Sequence, residues 1–208
     1  SFAYVIAKEM ATPIYTTNGS VLDKVGDLAA ILTSLEPNSI LFIDEIHRLK
    51  TQIEEILYPA MEDKVLDIII GKGPNAKTLR LDLPEFTVIG ATTKLSMLSS
   101  PLRDRFGMHF RLDFYSDAEL TELVIQKAGK LGVKISKDAA EEIAIRSRMT
   151  ARIAIRILKR VRDMMIVNNK KIIDLDSVKE TLTMLEVDEN GLDIMDRQLI
   201  KIILIDFD

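Results

Sequence analysis

The sequence predicts an α/β fold built on a parallel sheet flanked by helices, followed by a helical second domain. Three observations predict it. Ile40-Leu41-Phe42-Ile43 is a short, wholly apolar run, as expected of a strand buried on both faces, and Phe86–Ala91 holds a second one. Between them, Gln52–Met61 sets Ile53, Ile56, Leu57, Ala60 and Met61 at i, i+3, i+4, i+7 and i+8, the stripe of a core-facing helix. Beyond residue 116 only helical spacing recurs. Strand, helix, strand, then helices reads as an α/β domain plus an α domain.

Taken in order, residues 1–10 read as a short helix with Phe2, Val5 and Ile6 on one face. Pro13–Asn18 reads as a strand closed by the Asn18-Gly19 turn. Asp27–Leu35 is amphipathic, with Leu28, Ile31, Leu32 and Leu35 at helical spacing, and Pro37-Asn38 ends it. Val65–Leu83 alternates apolar and polar residues on both sides of Gly71-Lys72-Gly73-Pro74-Asn75, which predicts a β-hairpin. Its apolar face, with Ile68, Ile70, Leu79 and Leu81, either packs on its own domain or forms a patch for a partner protein. A boundary is expected near Phe110–Ser116. Ser116 and Glu119 have the spacing of a capping box for a helix to about Leu131. Lys137–Arg148 is a second helix, and Thr150 caps a third with Ile153, Ile157 and Val161 as its buried row. Asp174 caps a fourth through Leu185, Asp188–Gly191 is a linker, and Leu192–Ile205 begins another apolar helix.

Composition narrows the function. The 208 residues are 47% hydrophobic and 29% charged, ordinary for a globular chain. No apolar stretch reaches the roughly 18–20 residues that span a bilayer, which excludes membrane insertion. The absence of cysteine excludes disulfides and thiolate-bound zinc and fits a cytoplasmic location. A net charge of −4 offers no overall basic footprint for nucleic acid, so contact with DNA needs a local patch, a ring of subunits or a further domain. Arg152, Arg156, Lys159, Arg160 and Arg162 make the one strongly basic stretch.

The chemistry concentrates at Asp44-Glu45, two carboxylates at the C-terminal end of the first apolar run, where ligands bind in open α/β sheets. This is the pattern of a Walker B segment, in which Asp44 would help hold Mg²⁺ on a nucleotide and Glu45 would polarise the attacking water. The plainer reading is a buried strand leaving into a charged loop. The hydroxyls of Thr92-Thr93, at the end of the second run, lie where they could meet the water or a terminal phosphate. Arg103 and Arg105 precede a Phe106-Gly107 turn, and surface ion pairing is the default for such arginines.

With these stretches in view, the chain resembles the AAA+ ATPases and, within them, the RuvB-type motors of Holliday-junction branch migration. The resemblance rests on Gly26–Leu32, Ile40–Leu49, Leu57–Asp63, Asp67–Asp82, Gly90–Thr93 and Ser100–Gly107. It implies an AAA+ large domain over residues 1–112, a helical lid over 113–187, and over 188–208 a linker and the start of a winged-helix domain. It implies an ATP- and Mg-dependent DNA translocase (a helicase) of recombination and repair, acting as a hexameric ring delivered to the junction by RuvA. Thr93 then matches sensor 1, Arg105 the arginine finger that reaches a neighbour's nucleotide, and Arg152 sensor 2. Tyr115 matches an aromatic near the base, and Glu62, Asp63 and Lys64 lie in a segment with nucleotide-site contacts. The 65–83 hairpin matches the insertion that docks RuvA. His47 also permits a DExH-helicase reading through Asp44-Glu45-Ile46-His47, though the surrounding blocks favour a supporting or packing role.

The resemblance also marks departures. The family's Gly-rich P-loop would immediately precede Ser1, which matches the residue after its Lys-Thr pair. Without that cradle the 208 residues are expected to bind ATP poorly and not to hydrolyse it. The family's Gly-Thr-Pro-Arg reads Met149-Thr150-Ala151-Arg152 here. Two alternatives follow: a clamp-loader-type AAA+ ATPase, or a non-catalytic module that binds RuvA through the hairpin.

Overall fold

Three parallel strands organise the first half of the chain: β1 (Ile14–Asn18), β2 (Ser39–Asp44) and β5 (Phe86–Gly90), with the hairpin β3 (Val65–Ile70) and β4 (Lys77–Asp82) inserted before the last. The computed structural model describes residues 2–70 and 77–206. The chain divides into two compact units, residues 1–110 and 111–208, each taken by itself below.

In the first unit the sheet order is β1-β2-β5. β2 is central because its apolar run tolerates burial on both faces. Leu41 and Ile43 join a core with Leu28 and Leu32 of α2 (Val25–Thr33) and Ile53 and Leu57 of α3 (Thr51–Glu62), while Ile40 and Phe42, on the opposite face, are also buried. α2 starts two residues before the expected Asp27. The Asp27 carboxylate accepts from the Lys24 backbone N–H at 2.8 Å and the Asp23 N–H at 3.2 Å, which supplies the helix start. α1 (Phe2–Glu9) forms as expected but buries a different face. Ala3 and Ala7 are the buried residues, and Phe2 and Val5 are exposed, because small side chains permit a closer approach.

The hairpin pairs Leu66 with Leu81 and Ile68 with Leu79. Leu66 is fully buried and Ile68 and Leu81 are half-buried against the core, whereas Leu79 is 44% exposed. The ribbon is thus anchored at its base and bare nearer its turn. Ile70 closes the ladder opposite Lys77; its side chain and the expected turn at 71–75 lie outside the described residues. On the other face Arg80 donates twice to Asp67, each at 2.8 Å, which holds that carboxyl below its ordinary range.

The second unit is helical: α5 (Asp117–Lys130), α6 (Lys137–Ile145), α7 (Ala151–Val167), α8 (Leu175–Met184) and α9 (Ile194–Asp206). Leu120, Val124, Ile143, Leu158, Val161 and Val178 are among its buried core. The capping box forms: Ser116 Oγ accepts from the Glu119 N–H at 3.3 Å, and the Glu119 carboxylate accepts from the Ser116 N–H at 2.8 Å. Asp174 caps α8 through the Ser177 N–H at 2.8 Å. Three details differ from expectation. A parallel ladder of two residues per strand, β6 (Lys134–Ile135) with β7 (Ile172–Ile173), accompanies the helices. α6 stops at Ile145, because Arg148 and Met149 both take left-handed backbone conformations, φ 50° and 56°. That turn brings the Arg148 carbonyl within 3.0 Å of Thr150 Oγ1, so Thr150 stands at the start of α7 without capping it by its side chain.

Candidate active site

The ends of the three parallel strands meet around Asp44 and Glu45. Asn18 lies in register with Asp44, and Ile43 with Gly90. Backbone bonds tie the exits together: Gly19 N–H to Asp44 O at 2.8 Å, Ala91 N–H to Ile43 O at 3.0 Å, and Ile46 N–H to Ala91 O at 2.9 Å. The chain turns sharply at Glu45, whose φ of 47° is left-handed, and enters a short 3₁₀ turn, Ile46–Arg48. Asp44 is exposed, and one of its oxygens accepts the Glu45 N–H at 2.9 Å. Its other oxygen has no protein partner among the described residues. Mg²⁺ is usually held by one or two carboxylates together with substrate phosphates and water, and an exposed strand-end carboxylate with a free oxygen fits that demand.

Glu45 is fixed by a residue that sequence reasoning left in a supporting role. His47, nearly buried, sets Nε2 3.3 Å from Glu45 Oε2 and Nδ1 2.8 Å from Thr92 Oγ1. Thr92 Oγ1 also accepts the Lys94 N–H at 3.0 Å. In the neutral ring the proton belongs on Nε2, facing the carboxylate, so Nδ1 accepts and the Thr92 hydroxyl donates. A continuous path therefore runs from the loop after β5 to the carboxylate after β2. Thr93 is exposed at the same strand end, without a side-chain hydrogen bond among the described residues. The Asp-x-x-His spacing was a visible signal for His47, but its partner Thr92 was not.

Arg105 follows α4 (Ser100–Asp104) and is held by its own unit. Nη1 donates to the Pro101 carbonyl at 2.8 Å, Nε lies 3.1 Å from Glu62 Oε1, and the guanidinium sits 4.2 Å from the centre of the Tyr58 ring. Burial pushes the Tyr58 hydroxyl above its ordinary pKa, and it bonds the buried Glu54 at 3.0 Å. Sequence reasoning missed both residues. The signal was an acid, Glu54, inside the apolar stripe of α3. Asp63 ends α3, and Lys64 donates to the Met61 carbonyl at 2.6 Å while lying 5.4 Å from the Phe86 ring centre. Lys64 is therefore engaged within its own unit. Ser1 lies outside the described residues.

In the second unit Arg152 is exposed in the first turn of α7, with no ion pair among the described residues. Tyr115 is 45% exposed, and its N–H donates to the Met149 carbonyl at 3.3 Å, beside the left-handed turn that precedes Arg152. Tyr115 is thus tied to Met149, three residues before Arg152, within one unit.

Residues 1–112 match the family described as the Holliday junction DNA helicase RuvB P-loop domain, and residues 115–188 match the RuvB AAA lid domain. The Holliday junction branch migration complex subunit RuvB of Fusobacterium nucleatum is 56% identical over 208 residues, which is all of this chain and 63% of that protein. The Thermotoga maritima RuvB Holliday junction branch migration motor superposes with a TM-score of 0.87 at 47% identity, covering 99% of this chain and 64% of that one. A mutant of the same Thermotoga protein gives 0.90 at 48%, covering 99% and 65%. The chain spans just under two thirds of the length of these relatives.

Proposed function

We propose a function from one premise: the chain belongs to the RuvB family of AAA+ ATPases. It is the motor of a branch-migration complex, coupling ATP hydrolysis to the movement of DNA at Holliday junctions. The observation that carries this reading is the meeting of Asp44, Glu45 and the Thr92-Thr93 end at one edge of the parallel sheet, with Glu45 oriented through His47. Residues 1–112 act as the ATPase domain and 113–187 as its lid.

Asp44 would hold Mg²⁺, which would offset the charge of the ATP phosphates; Glu45 orients and deprotonates the attacking water, and Thr93 senses the terminal phosphate. Arg105 serves the nucleotide of a neighbouring subunit in a hexameric ring, and Arg152 links the lid to the phosphates of its own. Glu62, Asp63 and Lys64 border that subunit junction, and Tyr115 packs near the base. The hairpin, with Leu79 exposed and Ile68 and Leu81 packed beneath, is the docking site for RuvA. The motor works in the cytoplasm on duplex arms. No helix among the described residues is long and apolar enough to cross a membrane.

The test is Glu45→Gln in the full gene product. Removing the base while keeping the side chain's shape should lower ATP turnover by at least about 10² and leave ATP affinity intact. Turnover at the wild-type rate would refute the role given to Glu45.

A further inference from the structure

We propose that Tyr58, fixed by Glu54 and Ser99, is a platform that sets the reach of Arg105, and that Glu62 is its releasable counter-ion. This rests on the reading of Arg105 as a residue that acts on a neighbouring subunit's nucleotide.

The geometry begins at a single buried oxygen. Glu54 Oε2 accepts from the Tyr58 hydroxyl at 3.0 Å and from Ser99 Oγ at 2.6 Å, and Glu54 is only 6% exposed. Ser99 has one hydroxyl proton, and it is used in the bond donated to Glu54. Its lone pair is left to accept the Leu102 N–H at 3.3 Å, which caps α4, the helix that Arg105 ends. One carboxylate thus fixes both the aromatic ring and the start of the helix that carries the arginine. Both are referenced to α3, whose position the apolar core sets.

The guanidinium lies over that ring, and the Pro101 carbonyl holds Nη1. Its other edge faces the Glu62 carboxylate, to which Nη2 donates at 3.4 Å, while Nε lies 3.1 Å away, buried and without a hydrogen bond among the described residues. That edge is the one suited to bidentate recognition of a phosphate. Glu62 is 54% exposed in its side chain, and pairs of that kind are weakly held. The edge can therefore exchange Glu62 for a phosphate while the ring and the Pro101 carbonyl keep the arginine aimed. Tyr58 is a positioning residue: it never meets the nucleotide.

The experiment compares Tyr58→Met, which fills the space without a π face, with Tyr58→Phe, which keeps the ring. Both are made in the full gene product beside Arg105→Ala. An arginine finger is worth roughly 10³–10⁵ in rate, and a misplaced one should lose part of that. Tyr58→Met should lower kcat by about tenfold with KM changed by less than about twofold, and Tyr58→Phe should keep at least about half of kcat. Mixing Tyr58→Met subunits with Glu45→Gln subunits should restore turnover, because the two defects sit on opposite sides of a junction. If Tyr58→Met melts early, Ser99→Ala carries the same test through the start of α4, with the same restoration on mixing. Wild-type kcat in Tyr58→Met, a raised KM at unchanged kcat, or a defect that mixing leaves in place would each overturn the platform. If Arg105→Ala itself keeps full turnover, the trans reading of Arg105 fails first. If Arg105→Ala is inactive and restored by mixing while Tyr58→Met is fully active, only the platform falls.

Discussion

The two units are held by different kinds of polar contact. In residues 1–110 some of the half-buried side-chain bonds join residues far apart in the chain: His47 to Thr92, and Ser99 to Glu54 and to Tyr58. In residues 111–208 the half-buried ones are mostly short-range, as from Arg146 to Glu142 and from Lys170 and Ser177 to Asp174, with Arg148 to Asp196 the long-range exception among the described residues. Long-range bonds form only once strands and helices have closed on one another, so they report and stabilise a tertiary arrangement. Local bonds fix helix ends whatever the rest of the chain does. The unit with more of these long-range bonds is also the one with Asp44 and Glu45, and the chemistry proposed for them needs groups from several elements held to within a fraction of an ångström.

The largest test of this contrast is Glu54→Ala. It removes the acceptor shared by the Tyr58 and Ser99 hydroxyls, which lie 3.3 Å apart and can then pair with each other, so about one group is left unsatisfied, at about 1–3 kcal/mol. Urea unfolding should register a loss of about 2 kcal/mol. A cycle with Ser99→Ala should give a coupling above about 1 kcal/mol, and additive losses would break the comparison. Next is Asp174→Ala in the second unit, a helix-cap deletion costing about 1 kcal/mol. Hydrogen bonds from Ser177 lower the Asp174 pKa from 3.8 to about 2. A carboxyl depressed on folding stabilises fully above its unfolded pKa and loses that contribution as pH falls through the folded one. The gap between wild type and Asp174→Ala should therefore be constant above about pH 5 and should close between pH 4 and 2, a course that unfolding midpoints against pH would follow. A gap that persists at pH 2 would mean the cap does not act through its charge. The smallest effect should come from Arg80→Ala on the hairpin. Its pair with Asp67 is well formed but exposed, so the thermal midpoint should stay within experimental error.

The same division explains what could be read from the residues alone. Ser116 with Glu119, and Asp174 ahead of its helix, were legible because the interacting groups are three residues apart. That β2 is a strand buried on both faces was legible because its run is apolar without interruption. Asp44 and Glu45 were legible because a strand's end can be seen in its composition. What escaped depends on distant closure. The β6–β7 ladder joins residues 134–135 to 172–173, the ring beneath Arg105 comes from a different helix, and the partner of His47 lies in the loop after β5. Thr150 escaped for a subtler reason. A carbonyl delivered by the left-handed turn at Arg148-Met149 attracts a hydroxyl whose residue type otherwise suits a cap.

Gly19 gives the site a dependence that no inventory of its functional groups contains. A Cβ there would stand 2.5 Å from the carbonyl oxygen of Glu45 and 3.4 Å from the backbone nitrogen of Leu49. Neither atom can swing aside as a side chain would, so any larger residue must displace the turn that aims the carboxylate. A saturating survey of substitutions would then record an intolerant position with no chemistry of its own. The apparent loss of activity there would be a collision with the peptide backbone that carries Glu45.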